Sequence, residues 1–171
     1  MFEQKATNIK LIIFDVDGVL TDGKIYHSAN GDELKAFNVQ DGLGIKLLQK
    51  ANIQTAIITA RSSSLVETRA KELNISHLYQ GQSDKKIAYN TLLELLQLQP
   101  EQVAYVGDDL PDLPLIKLSG LGITVQNGAK DVKKHADWIT EKSGGNGAVR
   151  EIAEAILNAQ NHWEQLIAVY I

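Results

Sequence analysis

Lys10-Leu11-Ile12-Ile13-Phe14-Asp15-Val16-Asp17-Gly18-Val19 is a short apolar run that ends abruptly in two carboxylates. Continuous rather than alternating apolarity marks a strand covered on both faces, as in a parallel sheet packed between helices. Thr55–Thr59 and Val103–Gly107 read the same way, and Ile123–Val125 and Asp137–Thr140 supply further short segments. Between them lie helical patterns at Gly42–Ala51, Ser62–Leu73 and Lys85–Leu96, with another from Ala148 to about Gln160. Strands alternating with helices predict a Rossmann-like, doubly wound, mainly parallel α/β sheet, with ligands beyond the carboxyl ends of its strands. One segment breaks the rhythm. Lys24–His27 and Glu33–Val39 flank Asn30-Gly31, a strong hairpin signal, so residues 24–39 are expected to project as a β-hairpin.

A chain of 171 residues fits one domain, here residues 1–171, and can bury a core without staples. It is 44% hydrophobic and 22% charged, and its net charge of −4 argues against nucleic acid as the main partner. The absence of cysteine excludes thiol chemistry and disulfides. The first apolar run is too short to span a membrane and the N-terminus carries no address label, which makes the cytoplasm the expected compartment.

Residues two apart on an extended strand face the same side, so Asp15 and Asp17 could share one metal and one substrate. Asp-x-Asp-Gly could equally form a plain turn; a calcium loop is a weaker rival, because Val19 stands where the next oxygen ligand belongs. Val106-Gly107-Asp108-Asp109, with Asp112 close behind, brings a second acidic loop to the same sheet edge. Clustered carboxylates repel unless a cation lies among them, and oxygen-only ligands favour Mg²⁺ over zinc. The four histidines, His27, His77, His135 and His162, are scattered without metal-ligand spacing. Thr59 closes its strand and could donate to a phosphoryl oxygen. Lys85 opens a helix, where a phosphate meets both an ammonium and free N–H groups. Singly, such a threonine is usually structural and such a lysine solvated.

In that order, Asp15-x-Asp17, Thr59, Lys85 and Gly107-Asp108-Asp109-x-x-Asp112 resemble the four motifs of the haloacid dehalogenase superfamily. The resemblance implies a phosphatase with Asp15 as nucleophile, Asp17 as acid and base, and Thr59 and Lys85 holding the phosphoryl oxygens. It places Mg²⁺ on Asp15, the Asp17 carbonyl and Asp108, with Asp109 supporting. The gaps between Asp15, Thr59 and Lys85 are too short for the cap domain that many members carry. Asp15-Val16-Asp17-Gly18-Val19-Leu20-Thr21-Asp22-Gly23, the segment Lys35–Lys46, Ile58–Arg61 and Gly144–Glu151 resemble the capless 3-deoxy-D-manno-octulosonate 8-phosphate phosphatases. That likeness implies a homotetramer with sites between subunits, joined through the hairpin, and a role in lipopolysaccharide precursor synthesis. It also implies substrate contacts at Asp17, Asn38, Asp41, Gly42, Lys46, Arg61, Arg69 and Lys85. Gln40 stands where that family commonly has arginine. Arg61 and Arg69 suit the sugar acid's carboxylate, although a solvated helix residue is the other reading of Arg69. Arg150 and Glu151 are candidates for closing the site or holding an interface. The hydrophobic tail, residues 161–171, is expected to bury, at a neighbour's site or elsewhere. The rival functions are a phosphatase for a nine-carbon sugar acid phosphate, a non-catalytic assembly module and a receiver-like phosphoacceptor.

Overall fold

The computed structural model describes residues 2–171. In chain order the elements are α1 (Phe2–Ala6), β1 (Leu11–Phe14), β2 (Tyr26–His27), β3 (Glu33–Leu34), α2 (Val39–Lys50), β4 (Gln54–Ile58), α3 (Ser64–Glu72) and β5 (His77–Tyr79). Then follow α4 (Lys85–Leu96), β6 (Val103–Gly107), α5 (Leu113–Leu118), β7 (Leu121–Thr124), α6 (Lys130–Lys133), β8 (Trp138–Ile139), α7 (Ala148–Ala159) and α8 (Trp163–Ile167). Six strands form one sheet in the order β5-β4-β1-β6-β7-β8, every neighbour parallel. The chain starts in the middle, winds outward to β5, then crosses β1 to wind the other way. Its topological switch point therefore lies between β1 and β6, where open α/β sheets bind ligands.

The apolar runs divide their side chains between two faces. Ile12, Phe14, Ile57, Ala104, Val106 and Ile123 pack with Ile45 and Leu48 of α2, Val66 and Ala70 of α3, and Ile152 and Ile156 of α7. Leu11, Ile13, Ala56, Ile58, Val103 and Tyr105 pack instead with Ala88, Tyr89 and Leu92 of α4, Leu115 and Ile116 of α5, and Val132 of α6. This alternation within continuously apolar strands is the expected sign of a sheet covered on both sides. Between β1 and β4 stand only the hairpin and α2, and between β4 and α4 only α3 and β5, so neither gap holds a cap domain.

The hairpin is shorter than the sequence suggests. Only Tyr26 and His27 pair with Leu34 and Glu33. Its second strand does not reach Val39, because Asn38 caps α2: the Asn38 carboxamide oxygen accepts from the amides of Gln40 and Asp41 at 2.8 and 3.2 Å. Helix α2 thus begins three residues before the expected Gly42. Asp41 in turn caps α7, accepting from the amides of Gly147 and Arg150 at 3.3 and 2.8 Å, and burial pushes its carboxyl up. The first turns of α2 and α7 are locked together in this way.

Leu48 is fully buried on α2, whereas Leu95 on α4 is 62% exposed. Leu48→Ala should lower unfolding free energy by about 2–5 kcal/mol, and Leu95→Ala by less than about 0.5 kcal/mol, as read by urea denaturation. Similar losses at both positions would contradict this packing.

Candidate active site

Asp15 follows β1 directly, and its amide donates to the Val106 carbonyl at 2.9 Å, so β1 and β6 extend their pairing as far as Asp15. Asp108 follows β6. Thr59 follows β4, its amide tied to the Tyr79 carbonyl of β5 at 2.9 Å. Lys85 is the first residue of α4, whose cap Asp84 accepts from the Lys86 amide at 3.0 Å. One cleft at the carboxyl edge of the sheet is lined by Asp15, Asp17, Gly23, Thr59, Ala60, Arg61, Lys85, Asp108, Asp109, Pro111 and Asp112. Six expected site residues (Asp15, Asp17, Thr59, Arg61, Lys85, Asp108) and the supporting Asp109 therefore meet in one place.

The buried Lys85 ammonium donates to Asp15 Oδ1 at 2.7 Å and to Asp112 Oδ1 at 2.6 Å. Asp112 Oδ1 also accepts from the Tyr105 hydroxyl at 2.7 Å, while its Oδ2 accepts from the amides of Asp108 and Asp109 at 3.0 and 3.2 Å. Four donors leave Asp112 little capacity for a further ligand, so its part is to fasten Lys85 and the Asp108 loop. This residue was quoted in the fourth motif, but burial beneath the loop, which gives it this part, is not readable from spacing. Asp109 is exposed, and its carboxylate accepts from the Leu110 amide at 2.8 Å as a turn cap. Gly18 has φ +98°, and a Cβ there would lie 2.1 Å from Asp108 Oδ2. Only glycine lets the two acidic loops meet this closely.

Carboxylate oxygens of Asp15, Asp108 and Asp112 all lie within 4.8 Å of one another. Three carboxylates against the single Lys85 ammonium leave a local excess of two negative charges. Burial first, and then the charge of Asp112, push Asp15 up to about 6 despite the opposing Lys85. Burial, and then Asp15 and Asp112, push Asp108 up to about 7. Burial alone would depress Lys85, but Asp15 and Asp112 outweigh it and raise the ammonium above its usual range. An all-oxygen cluster with two uncompensated charges fits a hard divalent cation. With Asp112 engaged elsewhere, Asp15 and Asp108 are the carboxylates able to hold it.

Other expected contacts lie outside this cleft within one chain. Asn38, Asp41, Gly42 and Arg69 line a separate small apolar cavity with Leu20, Phe37, Ile45, Ile57, Val66 and Leu73. Arg69 stacks over Phe37, donates to the Asn38 carbonyl at 3.3 Å and pairs with Glu72 at 3.1 Å. Lys46 is exposed on α2. Arg150 pairs with Glu154 at 2.6 Å and lies over the Trp163 ring, so it anchors the tail. Glu151 accepts from the amides of Glu141 and Lys142. Trp163 and Leu166 pack on the core, whereas Val169, Tyr170 and Ile171 are exposed. The Gly144–Gly147 loop packs on the loop that follows Asp15, with the Gly145 amide donating to the Val19 carbonyl at 2.9 Å. The sequence reading missed Lys35 and Glu33, which fold back from the hairpin to Asp17 and Arg61.

A family model described as haloacid dehalogenase-like hydrolase matches residues 74–152. A 3-deoxy-D-manno-octulosonate 8-phosphate phosphatase of Yersinia pestis is 53% identical over 161 residues, covering 94% of this chain and 86% of that protein. The counterpart from Escherichia coli K12 is 52% identical with the same coverage. The crystal structure of the phosphatase of that name from Moraxella catarrhalis, in complex with magnesium ion, phosphate ion and a KDO molecule, superposes with a TM-score of 0.97. It is 50% identical, and the match covers 99% of this chain and 98% of that one.

Asp15 and Asp108 both have folded values above the ordinary 3.8, so the folded protein holds these protons more tightly than the unfolded chain. As the pH rises from about 4 to about 7 the pair ionises against its surroundings, and the metal-free fold loses stability. A divalent cation binds only the ionised pair. Mg²⁺ should therefore raise Tm more at about pH 8 than at about pH 5.5, measured against chelator-treated protein. An equal or larger rise at the lower pH would contradict this charge balance.

Proposed function

This chain belongs to the 3-deoxy-D-manno-octulosonate 8-phosphate phosphatases, within the haloacid dehalogenase-like hydrolases, and from that premise we propose how its own residues carry out the reaction. It is a Mg²⁺-dependent phosphoric monoester hydrolase that releases phosphate from the sugar acid 8-phosphate during lipopolysaccharide precursor synthesis. The observation that carries this reading is the buried Asp15–Lys85–Asp112 bridge beside Asp108 at the topological switch point.

Asp15 attacks phosphorus and forms an aspartyl phosphate, which splits a very slow hydrolysis into two easier steps. Asp17, paired with Lys35 in the empty protein, has to carry a proton once the ester is bound. It gives that proton to the departing sugar oxygen, then takes one from the water that attacks the phosphoenzyme. Phosphate leaves and Asp15 is restored. The Thr59 hydroxyl and the Lys85 ammonium hold the phosphoryl oxygens while charge develops on them. Mg²⁺, held by Asp15, Asp108 and the Asp17 carbonyl, would neutralise charge between the anionic nucleophile and the anionic ester.

The sugar acid end is proposed to meet Arg61 in the same cleft. Asn38, Lys46 and Arg69 lie outside this cleft in one chain and could meet the substrate only in a site formed between subunits, as in the proposed homotetramer, whereas Asp41 and Gly42 are buried within the chain. Ile25, Tyr26 and Leu34 on the hairpin and Val39 beside it are exposed apolar groups available for such packing. No helix among the described residues is long and apolar enough to cross a membrane. We place the enzyme in the cytoplasm as part of the same reading.

The test is phosphate release, with and without Mg²⁺, from a panel containing the eight-carbon sugar acid phosphate and a nine-carbon analogue. The expected result is metal-dependent turnover with at least about a tenfold preference, in kcat/KM, for the eight-carbon acid. Preference for the nine-carbon acid would move the substrate, and inactivity on every ester would overturn the reaction. Asp15→Asn should fold normally by circular dichroism and lose at least about 10³-fold in kcat. Activity near wild type in that variant would remove Asp15 from its role.

A further inference from the structure

Lys35 follows the short hairpin strand β3, between the exposed Leu34 and Ala36, yet its own side chain is only 4% exposed. Its ammonium reaches back to the Asp17 carboxylate and lies 3.5 Å from Glu33 Oε1. From the opposite side, Arg61 donates through Nη2 to Glu33 Oε1 at 2.7 Å, and its Nη1 stands 3.9 Å from Asp17 Oδ2. Two cations and two carboxylates thus form a neutral ring that meets the Asp15 cleft at Asp17 and Arg61. Arg61 is 44% exposed in its side chain and Glu33 24%, so the Arg61–Glu33 contact is open to solvent. An exposed pair of this kind contributes little to folding. Asp17 is fixed by the loop that carries Asp15. Glu33 has a different footing, because within one chain it rides on a two-residue strand paired with a single partner strand.

We propose that Glu33 stands in for the carboxylate of the substrate: it occupies Arg61 and Lys35 in the empty protein, and the acid end of the sugar acid phosphate displaces it. The inference rests on the substrate reading above and adds a specificity device to the same site. Exchanging one carboxylate for another leaves the ring neutral, so the exchange carries little electrostatic cost. A phosphate ester without a second anion has nothing to offer Arg61 and leaves the ring closed. Glu33 therefore weakens every acidic substrate by a modest factor and discriminates against none of the neutral ones. Selectivity for acids comes from Arg61 and Lys35, and Glu33 sets how readily those cations are released to the ligand.

The experiment compares wild type with Glu33→Gln on 3-deoxy-D-manno-octulosonate 8-phosphate and on p-nitrophenyl phosphate, with saturating Mg²⁺. The amide keeps the shape and removes the charge. KM for the sugar acid phosphate should fall on the order of three- to fivefold, with kcat within about twofold and KM for p-nitrophenyl phosphate unmoved. Calorimetry with the free sugar acid should show a matching tightening of Kd, a readout that does not depend on turnover. An unchanged or raised KM for the acid, or the same change on both esters, would overturn the role of Glu33 while leaving the phosphatase reading intact. Wild type that turns over p-nitrophenyl phosphate but not the sugar acid phosphate would sink the substrate reading and this inference together.

Discussion

Lys85 sets its ammonium between Asp15 and Asp112 in a pocket almost closed to water, and the rest of the site depends on that bridge. Without the cation, three carboxylates would share one buried volume, and desolvation would drive protons onto them. With it, Asp15 is pushed up only to about 6, within reach of ionisation near neutrality. The bridge also orders its surroundings. Asp112 fastens the Asp108 loop through two backbone amides, and Tyr105, buried in the sheet, donates to the same carboxylate from below. The fold makes this contact available because β1 and β6 are neighbours at the switch point, while α4 enters from the adjoining connection.

The charge left over gives the site its direction. A divalent cation offsets the excess of two negative charges, and a phosphate dianion can then enter with it. Farther out the balance is different: Lys35, Arg61, Glu33 and Asp17 already neutralise one another. The inner part of the cleft thus carries the unbalanced charge that phosphoryl transfer needs, and the outer part is the one proposed to choose the ester. The hairpin carries both Glu33 and the exposed Ile25, Tyr26 and Leu34, so the proposed choice of ester and the proposed assembly would share one short element.

Much of this was legible in the chain before folding was considered. β1, β4 and β6 announce themselves because burial on both faces demands unbroken apolar runs, and the residues that follow them fall at the sheet edge by construction. That is why Asp15, Thr59 and Asp108 could be found from position alone. β5 is three half-buried residues with no pattern of its own, and α5 contains Pro114 near its start, so neither stands out locally. The hairpin misleads at its far end, where Phe37-Asn38-Val39 suits a strand until the Asn38 cap turns it into a helix start. The family resemblance implies Asp41 and Arg69 as substrate contacts, and within one chain they cap a helix and stack on an aromatic ring. The Glu33 and Lys35 contacts depend on how the hairpin folds back, which spacing along the chain does not encode.

The central claim is that Asp15 carries the phosphoryl group. The direct measurement is rapid acid quenching of the enzyme during turnover of ³²P-labelled sugar acid phosphate, followed by peptide mapping. The account predicts acid-stable, hydroxylamine-sensitive label on the peptide containing Asp15, formed before steady-state phosphate release. Phosphate release with no protein-bound label at any quench time, or label confined to another peptide, would contradict it.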